Sequence, residues 1–112
     1  MIHQILKRIL GFFGSKHLIE LNLNLSAEES NDRAQQYYTD ENFTEAFKYF
    51  KFAADKGNLN AQFNLGIMYV NGLGGIQDYS EAIRYLKLAA DQGVVGAQYA
   101  LGQMYAYGDN VE

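Results

Sequence analysis

The sequence has 112 residues, 48% of them hydrophobic and 20% charged, which fits one globular domain and excludes a disordered chain. It contains no cysteine, which excludes disulfides, thiolate catalysis and zinc–thiolate sites, and no proline to break a helix. Residues 1–25 hold three basic side chains and one acidic, whereas the remainder holds six basic and twelve acidic. Because an acidic surface repels phosphate backbones, we expect no nucleic-acid binding by the main part of the chain.

The first residues predict an amphipathic helix. Apolar side chains recur at helical spacing over residues 2–13, while Lys7 and Arg8 lie on the opposite face. Three interpretations stay open: a helix that covers the end of the helical domain, a helix that lies on an anionic membrane, and a signal peptide. The stripe is too short and too charged to span a bilayer. We treat residues 1–25 as an N-terminal amphipathic segment and linker.

A repeat of 36 residues occupies the rest of the chain. Residues 42–75 and 78–111 align without a gap and share 15 identities in 34 pairs. Within each copy, apolar residues are three or four positions apart, as in amphipathic helices. The period predicts repeat units at about 26–57, 58–93 and 94–112, the last one incomplete.

Capping residues mark the helix boundaries. Ser26, Asn42 and Asp78 are each followed three positions later by a glutamate, which predicts reciprocal capping boxes. Gly57 and Gly93 stand where a left-handed residue would end the preceding helix. The predicted helices are 27–40, 43–56, 59–71, 79–92 and 95–107, with a glycine-rich turn at 72–77.

Small residues predict how these helices pack. Ala53, Ala54, Gly66 and their counterparts 36 positions later let neighbouring backbones approach closely, while larger apolar residues such as Leu65 fill the gaps. A helix pair of this length cannot bury its apolar stripe alone, so the adjacent pair must cover it. The predicted fold is therefore an all-α solenoid of antiparallel helix pairs.

The order of small, aromatic and glycine residues within the repeat is distinctive. It runs Ala61-x-x-x-Leu65-Gly66-x-x-Tyr69-x-x-Gly72-x-Gly74 and continues Asp78-x-x-x-Ala82-x-x-Tyr85-x-x-x-Ala89-Ala90-x-x-Gly93. This order and the period resemble the Sel1-like repeat family, a relative of the tetratricopeptide repeats, over about residues 26–112. The resemblance implies a right-handed superhelix that binds a protein or peptide partner.

The resemblance also implies where a partner binds. In tetratricopeptide repeats the first helix of each pair lines the concave face. The predicted partner-binding residues are Asn31, Gln35, Tyr38, Phe63, Ile67, Val70, Tyr99 and Gln103, with Ala106 at the end of this row. The alternative is that these positions only pack one repeat against the next. If exposed, their aromatic, aliphatic and amide side chains suit an extended peptide or a helix.

No group of residues indicates catalysis, a metal site or a cofactor. The two histidines, His3 and His17, lie outside the repeats. The segment Gly72–Gly75 follows a predicted helix and lacks the lysine of a phosphate-binding loop, so it predicts a turn. We therefore expect no enzyme activity.

The leading hypothesis is a protein-binding scaffold, acting as an adaptor or, as the resemblance implies for some bacterial members, as an immunity protein that neutralises a toxin. A β-lactam-related hydrolase is one alternative, but the relatives described in that way are rich in cysteine. A membrane-associated adaptor held by residues 2–13 is another.

The C-terminal end allows two interpretations. Helix 95–107 either completes the solenoid or, if the chain is a fragment, exposes a face with Met104 and Tyr107 that favours self-association. We expect a cytoplasmic protein, with a peripheral membrane or periplasmic location as alternatives.

Overall fold

A computed structural model describes residues 25–107, and within this range the chain forms helices and no strand. The helices are α1 (Ala27–Thr39), α2 (Phe43–Asp55), α3 (Leu59–Asn71), α4 (Tyr79–Asp91) and α5 (Val95–Ala106). The predicted all-α class and the five predicted helices are confirmed, although four of them end one residue earlier than expected. The helix predicted over residues 2–13 lies outside the described residues.

The helices pack in chain order, as a solenoid requires. Contacts are most extensive within the pairs α1–α2 and α3–α4, while α2–α3 and α4–α5 join one pair to the next. Each helix therefore depends mainly on its sequence neighbours for the burial of its apolar side.

The start of α1 has the predicted capping box. The Ser26 hydroxyl oxygen accepts a hydrogen bond from the Glu29 backbone N–H at 3.0 Å, and the Ser26 N–H donates to Glu29 Oε1 at 3.1 Å. The reciprocal bonds hold the Glu29 carboxylate in its charged form and lower its pKa.

The starts of α2 and α4 correct the prediction, because only half of each capping box forms. Asn42 and Asp78 accept from the backbone N–H three residues later, as expected. Their own N–H groups, however, donate to the carbonyl oxygens of Tyr37 and Tyr69 at 2.8 and 3.0 Å. No cap N–H is then left for the glutamate.

These two glutamates instead form ion pairs with basic side chains. Glu45 pairs with Lys48, and Glu81 pairs with Arg84, each one helical turn further on. The backbone N–H that each capping box would have used thus donates to a carbonyl of the preceding helix.

The ends of α2 and α4 confirm the predicted left-handed conformation of the two glycines. Gly57 and Gly93 have φ values of 98° and 94°, in the left-handed region. At each end the glycine N–H and the next N–H donate to two carbonyls of the last turn, such as Ala54 and Ala53 after α2. This is the Schellman arrangement, which satisfies backbone acceptors and reverses the chain.

Alanines occupy the contacts at the centre of the fold. Each of them is completely buried: Ala34, Ala46, Ala53, Ala61, Ala82, Ala89 and Ala97. The larger buried side chains, including Tyr49, Phe50, Leu65 and Tyr85, fill the space beside them. Methyl-sized side chains let the helix axes approach closely, while the aromatic rings supply most of the buried apolar area.

Gly66 lets α3 and α4 approach each other closely. A Cβ atom at this position would stand 2.7 Å from Leu86 Cγ and 3.3 Å from the Ala82 carbonyl oxygen. Gly102, its counterpart in α5, would meet nothing within 4 Å. The predicted packing role is therefore confirmed for Gly66 and wrong for Gly102, because no helix in the described range lies against that side of α5.

We expect opposite effects from the same substitution at these two glycines. Gly66→Ala should destabilise the fold by about 1–3 kcal/mol, since the new methyl group overpacks a fully buried leucine. Gly102→Ala should stabilise it by about 0.5–1 kcal/mol through helix propensity alone. Urea unfolding followed by circular dichroism measures both, and equal stabilisation by the two variants would contradict the described packing.

Candidate partner-binding surface

The first helices of the second and third repeats carry no charge. Neither α3 nor α5 contains a single Asp, Glu, Lys or Arg, whereas α2 and α4 carry both signs of charge. The surface to which α3 and α5 contribute is therefore aromatic, aliphatic and amide in character.

The middle of the predicted row is half-buried between repeats. Phe63, Ile67 and Val70 pack against a cluster built on Leu86, Ala89, Ala97 and Leu101. The ring of Phe63 lies so close to Gly96 that a Cβ there would be 3.1 Å from it. These three positions thus serve inter-repeat packing and still present part of their surface.

The C-terminal end of the row is open. Tyr99 is 67% exposed, and Gln103 and Ala106 are exposed as well. Gln103 Nε2 donates to the Tyr99 hydroxyl oxygen at 2.8 Å, which holds the two side chains together. The amide oxygen of Gln103 and the phenolic hydrogen of Tyr99 stay available to a partner.

The N-terminal end of the row is mixed. Asn31 is only 8% exposed, so its side chain is not on the open surface. Gln35 is exposed, and Tyr38 is 38% exposed with its ring edge-on to Phe43 and Phe50 at centroid distances of 5.2 and 6.4 Å. The accessible part of the row is thus formed by Gln35 and Tyr38 at one end and by Tyr99, Gln103 and Ala106 at the other.

A polar cluster between the repeats was not predicted from the sequence. The Tyr85 hydroxyl donates to Asp55 Oδ1 at 2.6 Å and accepts from Lys51 Nζ at 3.1 Å. Lys51 also contacts Asp55 Oδ2 at 3.4 Å. We call this arrangement the tyrosine clamp, because a lysine and an aspartate of α2 hold the phenol of α4.

Neighbouring charges support the clamp. The Arg84 guanidinium lies over the Tyr85 ring, 4.2 Å from its centroid, and makes a bidentate pair with Glu81 at 3.1 and 2.9 Å. The hydrogen bond from Lys51 to the Tyr85 hydroxyl raises the pKa of the lysine. The hydrogen bonds from Arg84 lower the pKa of Glu81, and the same pair raises the pKa of the arginine.

The repeat alignment does contain a signal for the clamp. Lys51 and Asp55 are four residues apart on one helix face and recur as Lys87 and Asp91. A paired recurrence of this kind indicates a shared structural role, but only the fold shows that their target is a tyrosine of the next repeat.

Removal of one phenolic hydroxyl should weaken the fold. Tyr85→Phe is expected to cost about 1 kcal/mol, because Lys51 and Asp55 remain partly exposed and regain water as a partner. Tyr105→Phe is the matched control, since Tyr105 is exposed and its phenol should contribute within about 0.5 kcal/mol of zero. Chemical unfolding of both variants tests the clamp, and equal stabilities would show that it contributes nothing.

The Glu81–Arg84 pair should make part of the stability dependent on pH. Because the folded-state pKa of Glu81 is lowered, its contribution is present above the unfolded-state pKa and is lost as pH falls through the folded-state value. Arg84→Gln should raise the Glu81 pKa towards its ordinary value, as read by NMR titration of the carboxyl carbon. The stability difference between the wild type and this variant should shrink on acidification, and an unchanged Glu81 pKa would exclude the pair as its cause.

Two further observations bear on chemistry within residues 25–107. This part of the chain has no group of three or more His, Cys, Asp or Glu side chains arranged to hold a metal ion. None of its helices combines the length and the apolar character that crossing a bilayer requires.

The stacking of helix pairs through alanine and glycine contacts defines the class of this molecule as a helical-repeat solenoid. The Sel1 repeat family model matches residues 35–58, 59–94 and 95–112, which is more than half of the sequence. The chain therefore belongs to the Sel1 repeat family, whose repeats generally mediate protein–protein interaction and typically serve as non-catalytic scaffolds.

A solved structure supports the same assignment. The crystal structure of a Sel1 repeat protein from Oxalobacter formigenes is similar to this chain, with a TM-score of 0.71 and 27% sequence identity. The similarity covers 77% of this chain and 37% of that protein, so this chain spans little more than a third of its length. No curated protein matches the chain.

Proposed function

We propose that this chain is a scaffold that binds a protein partner through the open C-terminal end of the row, formed by Tyr99, Gln103 and Ala106. The observation that carries the proposal is an exposed tyrosine and glutamine, already joined by a hydrogen bond, on a helix with no charge. The half-buried Phe63, Ile67 and Val70 continue the same row towards the N-terminus.

The chemistry of the row favours a partner segment of low charge. Burial of a charged side chain against α3 and α5 would leave it without an opposite charge from either helix, at a considerable desolvation cost. An aliphatic or aromatic side chain can instead cover the phenol ring of Tyr99, while the Gln103 amide binds the partner's backbone. An extended peptide or an uncharged helix face meets both demands.

The other parts of the proposal follow from the family and from the residues. We propose a non-catalytic role without a metal or cofactor, in the cytoplasm, and no binding of nucleic acid. Whether the role is that of an adaptor or of a toxin-neutralising protein depends on the identity of the partner. The chemistry of the row is compatible with either role. A role at the membrane through residues 2–13 is a separate proposal that concerns residues outside the described range.

Two glutamine substitutions give a matched test of the row. Gln103→Glu places a negative charge beside Tyr99, whereas Gln92→Glu places the same charge on an exposed glutamine at the end of α4. A partner captured from the host and then purified should bind the Gln92→Glu variant with wild-type affinity. It should bind Gln103→Glu and Tyr99→Ala at least about tenfold more weakly, which corresponds to about 1.4 kcal/mol.

The control for folding is the thermal unfolding curve of each variant, which should correspond to a change of no more than about 0.5 kcal/mol because residues 92, 99 and 103 are all exposed. Wild-type affinity of the Gln103→Glu and Tyr99→Ala variants would exclude this end of the row as the binding surface.

A further inference from the structure

The contact of α3 with α4 shows which side chains pack against the first helix of a repeat. Gln62, Gly66 and Tyr69 lie on the side of α3 that α4 covers: Gln62 is 4% exposed, Gly66 receives Leu86, and Tyr69 stacks on Tyr85 with ring centroids 6.0 Å apart. α4 thus places a leucine in the notch that Gly66 leaves on α3, and it stacks a tyrosine on the ring of Tyr69.

The same surface is present on α5, and within residues 25–107 no helix covers it there. Gln98, Gly102 and Tyr105 are the counterparts 36 residues later; all three are exposed, and Tyr105 is 55% exposed. Gln98 Nε2 donates to the Ala90 carbonyl at 3.1 Å, just as Gln62 donates to Ala54 at 3.3 Å. Gln98 therefore already makes the hydrogen bond that its counterpart makes in the covered repeat.

The counterpart of the tyrosine clamp adjoins this surface. Lys87 and Asp91 stand on α4 at the positions that Lys51 and Asp55 occupy on α2, and both are exposed. We define the terminal face as Gln98, Gly102 and Tyr105 of α5 together with Lys87 and Asp91 of α4. It is distinct from the row, because the row residues 99, 103 and 106 point to a different side of α5.

We propose that the terminal face binds one amphipathic helix of a partner protein, and that this helix carries a tyrosine followed directly by a leucine. In α4 the occupant pattern is Ala82, Tyr85, Leu86 and Ala89. By the same contacts, the partner's leucine fills the notch at Gly102, and its tyrosine stacks on Tyr105. The phenol of that tyrosine then lies between Lys87 and Asp91.

Each position of the occupant pattern requires a particular kind of side chain from the partner helix. The notch admits a branched aliphatic side chain because Gly102 has no Cβ, and the clamp requires a hydroxyl that can both donate and accept. The alanines on either side of the tyrosine–leucine pair keep the two backbones close, as in the contact between α3 and α4. A helix that lacks the tyrosine hydroxyl leaves the clamp condition unmet.

A peptide with the sequence of residues 77–93 is a direct probe, because it carries the occupant pattern of α4. Added to the full chain with a fluorescent label, it should give saturable binding below about 1 mM by anisotropy, a range chosen because an isolated helix of this length is only partly formed. A peptide with the Tyr85→Phe change should bind about three- to tenfold more weakly, the loss expected for a hydroxyl whose partners are exposed to water.

Gly102→Leu is the decisive variant of the chain. It fills the notch with the chain's own side chain and should weaken peptide binding at least about tenfold. Its thermal stability should be unchanged or higher, because Gly102 is exposed and leucine favours a helix. Gln103→Glu is the control, since it disrupts the row and should leave peptide binding unchanged.

Three results would overturn the proposal. The first is no saturable binding of the peptide, and the second is binding that Gly102→Leu and the phenylalanine peptide leave unchanged. The third is dimerisation of the chain alone in sedimentation equilibrium that Gly102→Leu abolishes, which would assign the face to a second copy. Because the row is tested with Gln103→Glu and the terminal face with Gly102→Leu, failure of one proposal is distinguishable from failure of the other.

Discussion

The close approach of helices through alanine and glycine is the constraint on which the rest of this structure depends. Ala53, Ala61 and Ala89 are completely buried, and Gly66 has no room for even one additional carbon atom beside Leu86. With backbones this close, aromatic rings from neighbouring helices meet in pairs, such as Tyr69 with Tyr85. Larger residues at the small positions would separate the helices and break these ring contacts at the same time.

This constraint also relates the packing of the repeats to the predicted row. The helices α3 and α5 carry no charge, and the ion pairs of the described residues lie within α2 and α4. The uncharged side chains that pack one repeat on the next are also members of the predicted row. Phe63, Ile67 and Val70 illustrate this, because they pack against the core cluster and keep part of their surface exposed. Packing between repeats therefore leaves part of each of these side chains accessible.

The sequence predicts the helices well and their environments poorly, for a physical reason. The 36-residue period, the caps and Gly57 and Gly93 predict all five helices to within one residue, because these signals act locally. Gly66 and Gly102 are identical residues in aligned positions, yet only one of them is packed. Burial depends on which helix lies alongside, and the repeat pattern does not encode that. The donors at Asn42 and Asp78 show the same limit, since the preceding hairpin had already used them.

The tyrosine clamp supplies what alanine packing cannot. Apolar contacts between helices are non-directional, so alanines alone tolerate sliding and rotation of one repeat against the next. A phenol held at 2.6 Å by Asp55 and at 3.1 Å by Lys51 fixes both the distance and the orientation of α4 relative to α2. The position of α5, and with it of Tyr99 and Gln103, is then set through α4. The hydrogen bonds of Tyr85 thus help to fix the helix that carries α5, although no residue of the row takes part in them.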